Sequence, residues 1–344
     1  VRWVLSNTKK ISENSFGERD RRGHWRPFEK LKYAPLFAWP IKPLKLLRWL
    51  FGYPGYVLPW NLVFFLISVV VWLAFTPPLE TMKTFELGWM ATIVLRNAGL
   101  MILFYGIFHL HLYVKRKQGN EFKYNPSWLE TDGSAFLFRN QTLDNLTWSF
   151  ASGLSIWSGY EILTFWMMAN GFIPHLDFQA NPILFVVMLL LIPMFRELHF
   201  YCIHRLIHIP ILYRYVHKVH HANSNPGPWS GLSMHPVEHI LYFSSIFIHW
   251  IIPSHPLHVL NQLIHPALSP ALDHTGFEKV IIDDKTALDT HCFAHYLHHK
   301  YFEVNYSDGI IPLDKWFGTF HDGSSEGDEL MKKRLKQKQM RLNT

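Results

Sequence analysis

Charge is scarce in this 344-residue chain: Asp, Glu, Lys and Arg make up 17% of it, where about 25% is usual in soluble domains. Cysteine is scarcer still. Cys202 and Cys292 are the only two, too few to staple a chain of this length, and neither sits in a Cys-x-x-Cys pair. That leaves no disulfide framework and no four-cysteine cluster. The sequence also has no Gly-rich dinucleotide loop, no His-Pro-Gly-Gly haem element, no internal repeat and no strand-rich stretch. Electrons for any redox chemistry are therefore expected from a separate donor. The chain opens on Val1 without a charged-then-apolar leader, so no cleavable signal peptide is expected.

What fills the space is apolar and aromatic. Hydrophobic residues account for 49% and aromatic residues for 16%, including 14 Trp and 27 Phe. Four stretches read as membrane spans: Tyr56–Phe75, Leu87–Val114, roughly 143–173, and a run that begins at Pro182 and continues into the first histidine motif. Lys and Arg concentrate in the first fifty residues, in the 115–123 loop and in the tail from Lys332 to Arg341. The connections 77–86 and 171–182 carry almost none. By the positive-inside rule, both termini and the histidine motifs fall on the cytoplasmic side of a bacterial inner membrane or endoplasmic reticulum. The net charge of +7 is read as topology, not as a nucleic-acid footprint. The short stretch KPLKLLRWLFGY suits an amphipathic helix lying on anionic headgroups. The segment from Ile240 to Pro270, broken by prolines, is expected to form two short helices that dip into the membrane surface and return. Arg96 and Glu161 lie inside expected spans, where charge is costly, and are expected to pair with each other or with a lipid headgroup.

The 22 histidines carry the chemistry. His204-x3-His208 sets two imidazoles one helical turn apart on a single face. His217-x2-His220-His221 and His295-x2-His298-His299 repeat a second form, i, i+3 and i+4. Neutral imidazole is a ligand for Fe, Zn, Cu or Ni. Eight imidazoles exceed the shell of one tetrahedral ion, so the count points to two metals with open positions. The mixed Glu and Glu-x-x-His pattern of di-iron bundles is missing.

These three boxes, with the HKVHH run, the MHPVEH element, the isolated DHTGFE and the ending NYSDGIIPLDKWFGTFHDG, resemble the sterol desaturase / fatty acid hydroxylase superfamily over residues 135–322. The resemblance implies an all-α integral membrane enzyme with four transmembrane helices under a cytosolic helical cap. It implies two iron ions, O2 and two electrons from a ferredoxin or haem-type partner. The reaction implied is hydroxylation or desaturation of a lipid, such as a sterol or fatty acyl chain, that enters from the bilayer. Zinc can replace iron in overexpressed protein. Carried over by position, the metal ligands are His204, His208, His217, His220, His221, His295, His298 and His299, with His274 of DHTGFE as a further one. Some hydroxylases carry one more histidine four residues before that point. Here that position is Pro270, and His235 is taken as the substitute. Glu238, Asp273 and Asn305 are expected to orient the imidazoles, and His199 to line the core or the substrate. His239 and His291 stay open as neighbours or ligands.

The expected organisation is a basic segment 1–50, a first transmembrane hairpin and loop 51–134, the catalytic domain 135–322 and a basic tail 323–344. Two other functions compete. His235-x-x-Glu238-His239 matches the H-x-x-E-H pattern of a membrane zinc hydrolase, and a non-catalytic protein with one structural metal is the third reading.

Overall fold

The computed structural model describes residues 11–342. The first ten residues of the basic arm and the last two of the tail lie outside them. The chain is mainly helical, with two small antiparallel hairpins: β1 (Gly17–Arg19) on β2 (Trp25–Pro27), and β3 (Lys279–Ile281) on β4 (Ala287–Asp289).

The N-terminal half holds α1 (Pro43–Phe51), α2 (Trp60–Phe75), α3 (Leu87–His109), α4 (Gln141–Trp148) and α5 (Ser155–Ala169). A single π-helical turn, Leu110–Val114, extends α3, and another, Ser149–Leu154, joins α4 to α5. Next come α6 (Pro182–Ile207), α7 (Pro210–Leu212), α8 (Lys218–His221), α9 (Pro236–Phe243) and α10 (Ile248–Ile251). The chain closes with α11 (Pro256–Leu268), α12 (Pro270–Asp273), α13 (Phe293–Tyr301), α14 (Leu313–Trp316) and α15 (Ser325–Leu342).

Among the described residues, two helices are long and apolar enough to cross a membrane: Leu87–Val114, with 28 residues, and Pro182–Ile207, with 26. Both present large apolar side chains outward, among them Leu95, Leu103 and Ile107 on α3 and Ile183, Val187 and Leu191 on α6. The stretch expected as a first span forms a shorter helix. Pro59 delays its start, and the 16 residues of α2 reach about 24 Å at 1.5 Å per residue. The stretch expected as a third span is helical from Gln141 to Ala169, with the π-turn at Ser149–Leu154 inside it. Its second part, α5, is fixed to α3 through the pair expected from sequence. Arg96 Nη2 donates to Glu161 Oε1, and Asn97 Nδ2 donates to Glu161 Oε2 at 3.0 Å.

The largest departure concerns α11, expected to dip into a membrane surface. All thirteen of its residues are buried. It packs against α2, α5 and α6 and forms the centre of the main core. Val259, Leu260, Leu263 and Ile264 are fully enclosed, each contributing about 1.5–3 kcal/mol by burial. The helix takes up its buried polar groups pairwise: His265 Nε2 meets Asn61 Oδ1 at 2.8 Å and His258 Nε2 meets the Phe185 carbonyl at 2.9 Å.

The basic arm is likewise more structured than its composition suggests. Trp25 is buried against Phe122 and Tyr124, and its main-chain N–H donates to the Tyr124 carbonyl at 3.0 Å. This small core also takes in Phe293, Tyr296 and Leu297 of α13 and Met331 of α15. Arm and tail thus clamp the helix that carries the last histidine motif. Only α1 stays peripheral, with Leu44, Leu47 and Phe51 exposed, as an interfacial helix requires.

Candidate metal centre

The helices that bear the histidines are short and sharply bounded. α6 delivers His204 one turn before its end, and His208 follows at its C-cap, where Ile209-Pro210 stops the helix. A π-helical turn, Tyr213–His217, then swings His217 into place ahead of α8. α13 begins at Phe293 and ends at Tyr301, capped by Phe302, which takes a left-handed conformation with φ 64°.

These elements bring nine histidines into two adjacent groups. His204, His208, His217, His221 and His298 form the first, and His220, His274, His295 and His299 the second. Within each group one ring nitrogen from each histidine lies within 4.8 Å of all the others. The two H-x-x-H-H motifs divide between the groups in opposite senses. His217 and His221 join the first group while His220 joins the second. His295 and His299 join the second group while His298 joins the first. The i, i+4 pair grips one site, and the remaining imidazole, about 100° away around the helix, faces the other.

The hydrogen bonds decide what these groups hold. His204 Nδ1 donates to the Tyr306 carbonyl at 2.8 Å, His298 Nδ1 to the Val304 carbonyl at 2.7 Å and His274 Nδ1 to the Pro270 carbonyl at 2.9 Å. A neutral imidazole with its proton at Nδ1 presents a bare lone pair at Nε2. Yet His298 Nε2 lies 3.2 Å from His208 Nε2 and 3.1 Å from His221 Nε2. His274 Nε2 lies 3.2 Å from the Nε2 atoms of both His220 and His299, and 3.0 Å from that of His295. Three imidazoles cannot all donate to one another when the central one has its proton elsewhere. Lone pairs converging at this spacing fit a cation: ligands about 2.1 Å from an ion stand about 3.0–3.4 Å apart at angles between 90° and tetrahedral.

Electrostatics agree. Burial first, and then the neighbouring imidazoles, hold His217, His220, His221, His295, His298 and His299 well below the ordinary imidazole range. Burial also pushes His208 down to about 2 and His274 to about 3. All are neutral, the form that binds metal. Glu238 Oε1 stands 2.8 Å from His217 Nδ1, and burial raises its carboxyl well above the usual range. A bound cation offsets that penalty.

Of the residues expected to orient imidazoles, Glu238 does so directly. Replacing it by Gln is expected to weaken metal affinity about tenfold, and by Ala up to about a hundredfold, read by competition with a chromophoric chelator. Unchanged affinity in both variants would reduce Glu238 to core filling. Asn305 acts at one remove. With φ 50°, it accepts from the His321 N–H at 2.8 Å and donates to the His321 carbonyl at 3.1 Å. It thereby fixes the segment whose Val304 and Tyr306 carbonyls hold His298 and His204. Asp273 makes no hydrogen bond to an imidazole among the described residues and stands instead near Arg196 and Asp308.

His235 is not brought to either group. Its Nδ1 accepts from Val237 N at 3.2 Å and caps α9. His199 and His239 bond to Ser244 Oγ and Ser152 Oγ, and His291 lines a separate cavity. The zinc-hydrolase reading fails on the same facts, because His235, Glu238 and His239 point to a helix cap, to His217 and to Ser152. Three partners that orient imidazoles were hidden from sequence reasoning because they are main-chain carbonyls, at Pro270, Val304 and Tyr306. The loop that offers two of them is tied down by side chains. Glu197 accepts from the N–H groups of Gly309, Ile310 and Ile311. Asp314 accepts from those of Tyr306 and Ser307, and Arg196 pairs with Asp308.

Comparison with known proteins agrees with this geometry. The family described as fatty acid hydroxylase matches residues 188–319, a span that encloses all nine clustered histidines. The chain is 29% identical over 144 residues to a Delta(7)-sterol 5(6)-desaturase of Gibberella zeae, covering 40% of this chain and 42% of that protein. It is 30% identical over 131 residues to the Saccharomyces cerevisiae protein of the same activity name, covering 37% and 34%. To the lathosterol oxidase of Rattus norvegicus it is 27% identical over 154 residues, covering 44% and 51%. The matches thus span about half or less of each relative's length. No solved structure matches the chain. Histidine pattern, site geometry and these relatives together put the segment 188–319 in the sterol desaturase / fatty acid hydroxylase superfamily.

Proposed function

We propose that this protein is an O2-dependent lipid oxidoreductase that holds two iron ions and hydroxylates or desaturates an unactivated C–H of a membrane lipid. The observation that carries the reading is the convergence of Nε2 lone pairs in two adjacent, all-imidazole groups. His204, His208, His217, His221 and His298 would hold one ion, and His220, His274, His295 and His299 the other. Bound there, the iron pair supplies the reductive activation of O2 that the chain's own side chains cannot perform.

The protein's part is to bind, orient and exclude water. The Pro270, Val304 and Tyr306 carbonyls and Glu238 keep the protons of their imidazoles at Nδ1, so the lone pairs stay on the metal side. Seven of the nine rings are buried and His208 and His295 are half-buried, which keeps bulk water from most of the centre. The apolar outer faces of α3 and α6 suit a lipid environment, from which the substrate enters laterally. Electrons come from a separate ferredoxin or haem-type donor that docks on the basic, cytoplasmic side, where both termini lie.

Purified protein reconstituted anaerobically with Fe2+ is expected to bind two ions per chain and to form lipid product only with O2 and a reductant. One zinc per chain together with activity that needs no oxygen would overturn the proposal. Comparative lipid mass spectrometry of cells with and without the protein identifies the substrate.

A further inference from the structure

Beside the histidine groups lies a larger cavity of about 450 Å³. A small chamber lined by His204, His217, His220, His274 and His295 adjoins it, and the two share three wall residues: Arg196, Asp273 and Asp308. On the far side the cavity reaches Trp49 and Tyr56, next to the exposed apolar residues Leu47, Phe51 and Tyr53. The path therefore runs from a lipid-facing rim to the metal centre, with a polar station just before the end.

That station carries polar atoms with nothing to bond. Arg196 Nε, Ser269 Oγ and His265 Nδ1 are buried and have no hydrogen-bond partner among the described residues, although all three residues line the cavity. A buried polar group left without a partner is destabilising, so three on one wall indicate a ligand that completes them. The charge on the wall then selects among ligands. Asp273, Glu278, Asp308 and Asp314 line the cavity together with two cations, Arg196 and Lys32; the guanidinium is already paired with Asp308 and the ammonium with Glu29. A carboxylate or phosphate arriving there would add an anion to a wall rich in carboxyl groups. A hydroxyl meets no such penalty. It accepts from Arg196 or Ser269 and donates to a carboxyl oxygen or to His265.

We infer that this cavity is a subsite for the uncharged hydroxyl end of the lipid substrate, held by Arg196, Ser269 and Asp273 at the border of the histidine chamber. The protein thereby selects lipid alcohols over fatty acid anions and over hydrocarbons. The inference rests on the reading of the histidine centre as the site of lipid oxidation.

The test is equilibrium binding of radiolabelled probes to the full-length protein in nanodiscs. One series is hexadecan-1-ol, palmitate and hexadecane; the other is cholesterol, cholesteryl sulfate and cholestane. In whichever series fits the cavity, the alcohol is expected to bind about tenfold more tightly than the anion or the hydrocarbon, as one or two hydrogen bonds allow. Ser269→Ala and Arg196→Lys are each expected to cut the preference for the alcohol about threefold to tenfold and to leave hydrocarbon affinity unchanged. Ser269 Oγ has no partner among the described residues, so its removal breaks no internal bond, and this variant carries the test even if Arg196→Lys does not accumulate. Equal affinity for anion and alcohol, or a preference untouched by Ser269→Ala, overturns the inference. Binding needs no turnover. A clear alcohol preference without O2-dependent product sinks the proposed function and keeps the subsite, and turnover without that preference does the reverse.

Discussion

His220→Ala and His298→Ala are each expected to reduce bound metal from two ions to one per chain and to take lipid oxidation to background. The two variants strike different groups. His220 belongs to the group of four and faces His274 Nε2 at 3.2 Å, so its loss leaves three ligands. His298 belongs to the group of five and stands within hydrogen-bond distance of both His208 and His221. Its loss takes away the imidazole against which two others are arranged. Metal content by mass spectrometry and activity in the same preparation provide the check. Far-UV circular dichroism and membrane fractionation are expected to match the parent protein, because the packing of α3 on α5 and α11, and of α6 on α11, does not depend on either ring. Two ions per chain and retained activity in either variant would remove that residue from the metal shell. Substitution of His235, which caps α9, is not expected to change the stoichiometry.

The other large effect concerns assembly. Arg96 on α3 and Glu161 on α5 form an ion pair with side chains 5% and 0% exposed. Asn97 completes it by bonding both partners and Ser158. Removing one member of a buried pair leaves the other charge unpaired, at a cost of about 3–5 kcal/mol. Glu161→Ala and Arg96→Glu are expected to lower the unfolding midpoint by several degrees or to prevent accumulation. The exchange Arg96→Glu with Glu161→Arg is expected to recover much of the loss. Thermal unfolding in detergent reads both. A double exchange no more stable than the single ones would show that Arg96 and Glu161 contribute separately, through Asn97 and the surrounding backbone.

Legibility from sequence followed the range of the interaction. The three histidine boxes could be read because i, i+3 and i+4 spacing is a property of a helix and needs no tertiary knowledge. The isolated His274 was placed by its resemblance to a family motif, and the structure sets it at the centre of the second group. How each H-x-x-H-H motif divides was not readable, because that depends on which helix stands opposite. His235 was misplaced for a related reason: a histidine before Pro236 looks like a ligand in a histidine-rich stretch, while its local backbone makes it a helix cap. Pro270, Val304 and Tyr306 act through carbonyls, and a carbonyl has no sequence signature. The reading of α11 failed because its histidines and flanking prolines suggested a broken segment at the membrane surface. In the fold each histidine finds a buried partner, which only contacts more than seventy residues away, to Asn61 and Phe185, could reveal. Arg96 and Glu161 were the opposite case. Two lone charges in apolar stretches have few alternatives to each other.

His220 and His221 are covalent neighbours that serve different groups, and so are His298 and His299. The separation of the two groups is therefore written into the backbone of two helices, four and nine residues long, and not into side-chain rotamers. A shift of either helix moves ligands of both groups together. The centre behaves mechanically as one body with two seats, and neither seat can be widened, tightened or re-aimed without the same adjustment reaching its twin.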